Sequence, residues 1–173
     1  MKRPRGPILF GEYELTLDAK HRILVPSEIR KAFAETETEG AFFVIVGTNN
    51  LPWLYPAKYY KQLSLRLPPQ LVPSDAQHEY ALLNFGGAVE VPWDKQFRIL
   101  IPARTLERTG IQTAVTLVGA YDHLVLWNRQ AWQDYRSELE RRRKEILSNV
   151  GLEAQPNTSP PAASPPPPAT QNQ

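Results

Sequence analysis

A chain of 173 residues with 20 Lys and Arg against 18 Asp and Glu has a formal net charge of only +2, so any anion-binding surface must come from local placement of cations. The absence of cysteine excludes a disulfide framework, a thiolate nucleophile and thiolate-bound zinc, and says nothing about redox compartment. One or two small domains fit the length, and no apolar run is long enough to span a bilayer.

Residues 1–10 form a basic leader with Lys2, Arg3 and Arg5 that lacks the apolar stretch of a secretory signal, so a soluble, cytosolic chain is expected. Glu12–Leu17 alternates polar and apolar residues, the period of a half-buried strand. Asp18 to Arg22 reads as a tight loop, followed by the short strand Ile23–Val25. Pro26, with its preset φ, is placed to open a helix over Ser27–Phe33. Two strands, Ala41–Val46 and Trp53–Tyr55, and a helix from Ala57 complete this unit. Pro68-Pro69 interrupts the chain, and Ser74-Asp75-Ala76-Gln77 has capping-box spacing for a short helix running toward Gly86-Gly87.

The pattern then returns. Strand Gly87–Val91, loop Asp94 to Arg98, strand Ile99–Ile101 and Pro102 precede a helix over Ala103–Arg108, stopped by Gly110 as a left-handed cap. Strands Ala114–Val118 and Leu124–Trp127 follow, then a helix from Arg129 with Asn128 as its expected cap. Beyond Asn149 the composition shifts to Pro, Ala, Ser, Thr, Gln and Asn, too poor in large apolar side chains to offset the entropy of ordering, so a disordered tail is expected.

Asp18-Ala19-Lys20-His21-Arg22-Ile23-Leu24-Val25-Pro26 and Asp94-Lys95-Gln96-Phe97-Arg98-Ile99-Leu100-Ile101-Pro102 are two copies of one motif at an offset of 94 − 18 = 76. Gly47 and Gly119, Tyr55 and Trp127, and Tyr60 and Trp132 align at 127 − 55 = 72, which predicts four extra residues in the first copy, assigned to the polar stretch Thr36–Glu39. Each copy spans about 50 residues, too few for a comfortably stable core, so the copies are expected to pair with each other or with other chains.

The Asp-x-x-x-Arg element has two readings. One is an ion pair across a strand-loop-strand connection, with the Asp also accepting backbone hydrogen bonds. The other adds that pairing the copies sets two basic loops side by side, Lys20 and Arg22 beside Lys95 and Arg98, with Arg forks suited to a phosphate or a guanine edge and held by Asp18 and Asp94. Phe97 is read as turning back onto its own domain in preference to stacking at a groove, and His21 as a solvent-exposed loop residue. Arg141-Arg142-Arg143-Lys144 is read as a solvated helix face offset by Glu138, Glu140 and Glu145.

The duplicated loop with its aliphatic run and Pro, the strands Phe43 to Tyr55 and Val115 to Trp127, and the Gly86-Gly87-Ala88 junction resemble the MraZ family, bacterial DNA-binding regulators built of two SpoVT-AbrB domains; the resemblance covers residues 10–147. It implies an α+β, mainly β fold, with two tandem SpoVT-AbrB repeats forming a swapped-hairpin, double-psi-like β-barrel with short flanking helices. It also implies ring-shaped homo-oligomers and binding of double-stranded DNA at direct repeats upstream of the division and cell-wall gene cluster. Carried over by position, Arg22 and Arg98 become the leading DNA contacts, Lys20 and Lys95 their neighbours, and Asp18 and Asp94 the residues that shape the loops. The family's loop has Gly immediately before the Arg, where this chain has His21 and Phe97. The implied organisation is a leader at 1–10, a first domain at 12–59, a helical linker at 60–87, a second domain at 88–131, a C-terminal helix at 132–149 and a Pro-rich tail at 150–173. The location implied is cytoplasmic and nucleoid-associated.

An enzyme would need convergent reactive groups, and His21, His78 and His123 match no metal or triad spacing, so no catalysis, cofactor or metal is expected. The rival reading is an antitoxin-like or other protein-interaction module. A partner-binding tail should carry apolar anchors, and Leu152 is nearly alone after Val150.

Overall fold

Alternating polarity marks the first strand, β-branched and aromatic runs mark the inner ones, and the strands of the two copies interleave. The computed structural model describes residues 6–36, 40–66 and 74–151. In chain order the elements are β1 (Glu12–Thr16), β2 (Arg22–Leu24), α1 (Ser27–Glu35), β3 (Ala41–Val46), β4 (Pro52–Pro56), α2 (Ala57–Ser64), α3 (Asp75–Phe85), β5 (Val89–Pro92), β6 (Arg98–Leu100), α4 (Ala103–Thr109), β7 (Ala114–Gly119), β8 (Leu124–Asn128), α5 (Arg129–Arg141) and α6 (Arg143–Asn149). The chain divides into one unit up to Tyr135 and another from Arg136. In the second unit, Arg141, Arg142 and Arg143 pair with Glu138, Glu145 and Glu140 at 2.8, 3.2 and 3.2 Å, the offsetting expected of a solvated face. What reads in sequence as one C-terminal helix is broken at Arg142, where φ is −96° and ψ is 10°.

In the first unit a six-stranded antiparallel sheet runs β1-β7-β8-β4-β3-β5, and β2 pairs with β6 in a separate ribbon. Each copy lends its first strand to the other: β1 pairs with β7, and β5 pairs with β3. Exchanging the copies reverses the strand order onto itself, which is pseudo-two-fold symmetry. Its axis passes through Ile23 paired with Ile99 and Trp53 paired with Val125, each residue facing its own repeat equivalent. The expected β-barrel is not closed by hydrogen bonds, because β2 and β6 pair with each other instead of extending β1 and β5, leaving those two as sheet edges.

The core follows the same symmetry. Ile23 and Ile99, Val25 and Ile101, and Leu54 and Leu126 are all buried, together with Phe33 and Phe42. Phe33 and Phe42 pack edge to face at 5.1 Å, with Trp93 4.9 Å from Phe33. Each fully buried aliphatic side chain of this set stabilises the fold by about 1.5–3 kcal/mol relative to exposure.

Several local expectations change. Leu15 and Val91, equivalent at 76, pair with Val115 and Phe42, which puts β3 and β7 at 115 − 42 = 73. The four-residue excess is therefore split. Three residues lie between α1 and β3, with residues 37–39 of that stretch outside the described residues, and one lies in the longer turn between β3 and β4. Gly47 and Gly119 are thus not repeat equivalents and have separate causes. A Cβ at Gly47 would meet the Trp53 ring, and one at Gly119 would lie 2.6 Å from the Leu9 carbonyl oxygen.

The helices begin at Ser27 and Ala103 as expected, but Pro26 and Pro102, with extended ψ of 148° and 133°, are the N-caps and not the first helical residues. Asn128 accepts from the Gln112 backbone N–H at 2.7 Å and donates to the Gly110 carbonyl at 3.0 Å, tying down the α4 exit with the side chain expected to cap α5. The left-handed cap at Gly110 (φ 68°) and the Ser74–Gln77 capping box are present as expected. The Pro68-Pro69 break, residues 1–5 of the basic leader and the Pro-rich tail beyond Gly151 lie outside the described residues.

Candidate nucleic-acid interface

The two loops have one architecture. Asp18 Oδ1 accepts the backbone N–H groups of Lys20 and Arg22 at 2.8 and 2.9 Å, and Asp94 Oδ1 accepts those of Gln96 and Arg98 at the same distances. The second oxygen of each carboxylate takes the side chain. Arg22 Nε donates to Asp18 Oδ2 at 2.8 Å with Nη2 at 2.7 Å, and Arg98 Nε donates to Asp94 Oδ2 at 2.9 Å with Nη2 at 2.8 Å. An Asp is the side chain short enough to bridge its own turn in this way. Arg22 donates to Asp18 through side chain and backbone, holding that carboxyl down at about 2. The Arg98 backbone N–H and then its side chain hold Asp94 below the usual carboxylate range.

The residue before each Arg is left-handed, His21 at φ 59° and Phe97 at φ 58°. The loops therefore keep the conformation that glycine adopts at no steric cost, and two bulky residues accept it. The turn is over-determined by its hydrogen bonds, including His21 and Phe97 N–H donating to the Asp18 and Asp94 carbonyls at 2.9 Å. The copies also lock each other. Val25 N–H donates to the Phe97 carbonyl at 2.8 Å, and Ile101 N–H donates to the His21 carbonyl at 2.9 Å.

This exchange brings the predicted residues together. Arg22 Nη1 lies 3.9 Å from Asp94 Oδ2, so the loops are neighbours. With Ile23 and Ile99 facing the core, Arg22, Leu24, Arg98 and Leu100 share the other face of the ribbon, Arg22 opposite Leu100 and Leu24 opposite Arg98. Lys20, His21, Lys95 and Gln96 are exposed around this face. Each Asp occupies the Nε–Nη2 edge of its Arg, so the Nη1 end of the fork, which in Arg22 also lies 3.9 Å from Asp94 Oδ2, is the end suited to donate to a phosphate or to guanine O6 and N7. Leu24 and Leu100, 51% and 53% exposed, are a feature that motif reading overlooked. Alternation around Ile23 and Ile99 was the signal that could have found them.

Phe97 turns back, 6.4 Å from Trp93, with the Arg30 guanidinium 4.3 Å above its ring. His123 lies away from this face, between Trp53 and Tyr55 at 4.3 and 4.7 Å, its Nδ1 2.7 Å from Asp122 Oδ1. Among the described residues no group of His, Asp and Glu could hold a metal ion, and no helix is long and apolar enough to cross a membrane.

The family model described as "MraZ protein, putative antitoxin-like" matches residues 8–83 and again 84–149. This chain belongs to the MraZ family. Among its relatives, the "Transcriptional regulator MraZ" of Thermoanaerobacter sp. (strain X514) is 28% identical over 143 residues, covering 83% of this chain and 96% of that protein. The protein of the same name from Symbiobacterium thermophilum is 29% identical over 142 residues, covering 82% and 99%. That from Desulfitobacterium hafniense (strain Y51) is 30% identical over 148 residues, covering 84% and 100%. The two MraZ matches agree with the tandem repeat read from the sequence, and a family of regulators agrees with the reading of the chain as a non-enzyme.

Proposed function

We propose that this MraZ-family chain is a sequence-specific DNA-binding transcriptional regulator that acts in the cytoplasm on the nucleoid. Its reading face is the outer side of the β2–β6 ribbon with the two loops. Arg22 and Arg98 make the leading contacts, Lys20 and Lys95 add phosphate contacts, and Asp18 and Asp94 hold the forks in register. The observation that carries this reading is the placement of two equivalent Asp-clamped arginines on one exposed ribbon. A clamped fork is positioned before binding, which lowers the ordering cost of recognition.

The target is direct repeats upstream of the division and cell-wall gene cluster. The exchanged strands support a swapped-hairpin SpoVT-AbrB arrangement of domains 12–59 and 88–131, flanked by the linker at 60–87 and the C-terminal helix at 132–149. Several such chains form a ring, so that many reading faces act on tandem sites at once. In a gel shift with DNA from immediately upstream of the gene, the double change Arg22→Ala and Arg98→Ala lowers affinity by about a hundredfold or more, each single change less. Unchanged affinity in the double variant would sink this assignment of the face. Light scattering at micromolar concentration should give an oligomer, and a monomeric mass contradicts the ring. The antitoxin-like wording of the family description favours a protein-interaction module as the second reading, which the same gel shift separates by whether DNA is bound at all.

A further inference from the structure

Arg30 is held differently from the two arginines of the loops. Arg22 and Arg98 each give Nε and Nη2 to an Asp. The side chain of Arg30, on α1, makes no hydrogen bond or ion pair among the described residues, and its Nε is buried without an acceptor. Its guanidinium lies instead 4.3 Å over the ring of Phe97, the residue at the left-handed position of the second loop. An aromatic face holds a guanidinium in place by its quadrupole and leaves the in-plane N–H donors uncommitted.

The arrangement is one-sided. At the offset of 106 − 30 = 76 the second copy has Leu106, which is 9% exposed and part of the core, and the first loop has His21 where the second has Phe97. Among the described residues only the loop of the second copy therefore carries a stacked guanidinium, and the first copy supplies it. We infer that Arg30 is a further phosphate-contacting residue, held on Phe97 of the loop that carries Lys95 and Arg98, so that the half of the reading face around the second loop engages the DNA backbone with one more cation than the half around the first. This rests on the DNA-binding reading of the ribbon face.

The test is fluorescence anisotropy of the full chain with a labelled duplex taken from immediately upstream of its coding sequence, repeated across a salt series. Arg30→Leu installs the residue of the equivalent position, and Arg30→Gln serves as the second neutral variant should Leu perturb folding. Both are expected to weaken binding about fivefold and to reduce the log–log salt slope by about 0.9, the signature of one lost phosphate contact. Arg30→Lys is expected to restore most of the slope. Unchanged affinity, or weaker binding with an unchanged slope, would overturn the inference, the latter outcome assigning Arg30 to packing under Phe97 alone. Absence of binding by the unaltered chain would instead overturn the DNA-binding reading itself, which separates the two failures.

Discussion

The loop from Asp18 to Arg22 and the loop from Asp94 to Arg98 share a backbone and differ at their surfaces. In both, the Asp carboxylate accepts two backbone N–H groups and the Arg side chain, and the residue before the Arg is left-handed. At the exposed positions the first has Ala19, Lys20 and His21, and the second has Lys95, Gln96 and Phe97. The turn is specified by its first and last residues together with the cross-copy backbone bonds from Val25 and Ile101. The residues in between are free to diverge chemically without losing the shape.

The largest expected effect tests whether the copies are structurally equivalent at all. Ile23 and Ile99 are each 1% exposed and face each other on the pseudo-axis, so Ile23→Ala and Ile99→Ala should each cost about 2–5 kcal/mol in denaturant unfolding. A difference above about 1 kcal/mol between them would break the equivalence. The next effect sharpens the contrast at the apex. His21→Gly relieves a left-handed strain of roughly 1–2 kcal/mol, partly offset by the freedom glycine adds to the unfolded chain, and should stabilise by about 0.5 kcal/mol. Phe97→Gly gains the same relief but loses the Trp93 and Arg30 contacts, so it should destabilise by about 0.5 kcal/mol. Changes of equal sign and size would show that the Phe97 contacts contribute nothing.

The smallest effect is acid dependence, because both carboxylates lie where solvent screens them. Asp18 is held at about 2 and Asp94 is lowered. A depressed carboxyl contributes stability that is complete above its unfolded value and disappears as pH falls through its folded one. Melting temperature should therefore decline from about pH 4 toward about pH 2, and Asp18→Asn should flatten part of that decline while lowering the value at neutral pH. An Asn variant with the full acid decline would show that the loop carboxylate is not its source.

Much of this was legible because the loops need particular chemistry. An Asp that bridges its own turn, an Arg at a set distance and a Pro that ends the strand leave a repeated trace at an offset of 76. The first strand was legible from the alternation of Glu12–Leu17, and the short strands after each loop from their β-branched residues. Which strand each would pair with was not, because periodicity assigns faces and carries no information about partners. The left-handed loops were left open between shifted geometry and tolerated strain, because His21 and Phe97 lack the glycine that usually announces that conformation, and the strain is what the structure has. Gly47 and Gly119 misled in the opposite direction, two glycines with separate causes that happened to align. The stack of Arg30 on Phe97 joins residues 67 positions apart (97 − 30) in different copies, a distance over which no local pattern operates.

The axis through Ile23 and Ile99 has one more consequence. Two identical subunits about such an axis would present the same surface when turned end for end, and would engage a site equally well in either orientation. Fusing the copies into one chain removes that constraint, since a change such as Leu to Arg can enter one side alone. The molecule thereby acquires polarity: a front and a back along the line joining its two loops, as a direct repeat has and a palindrome lacks.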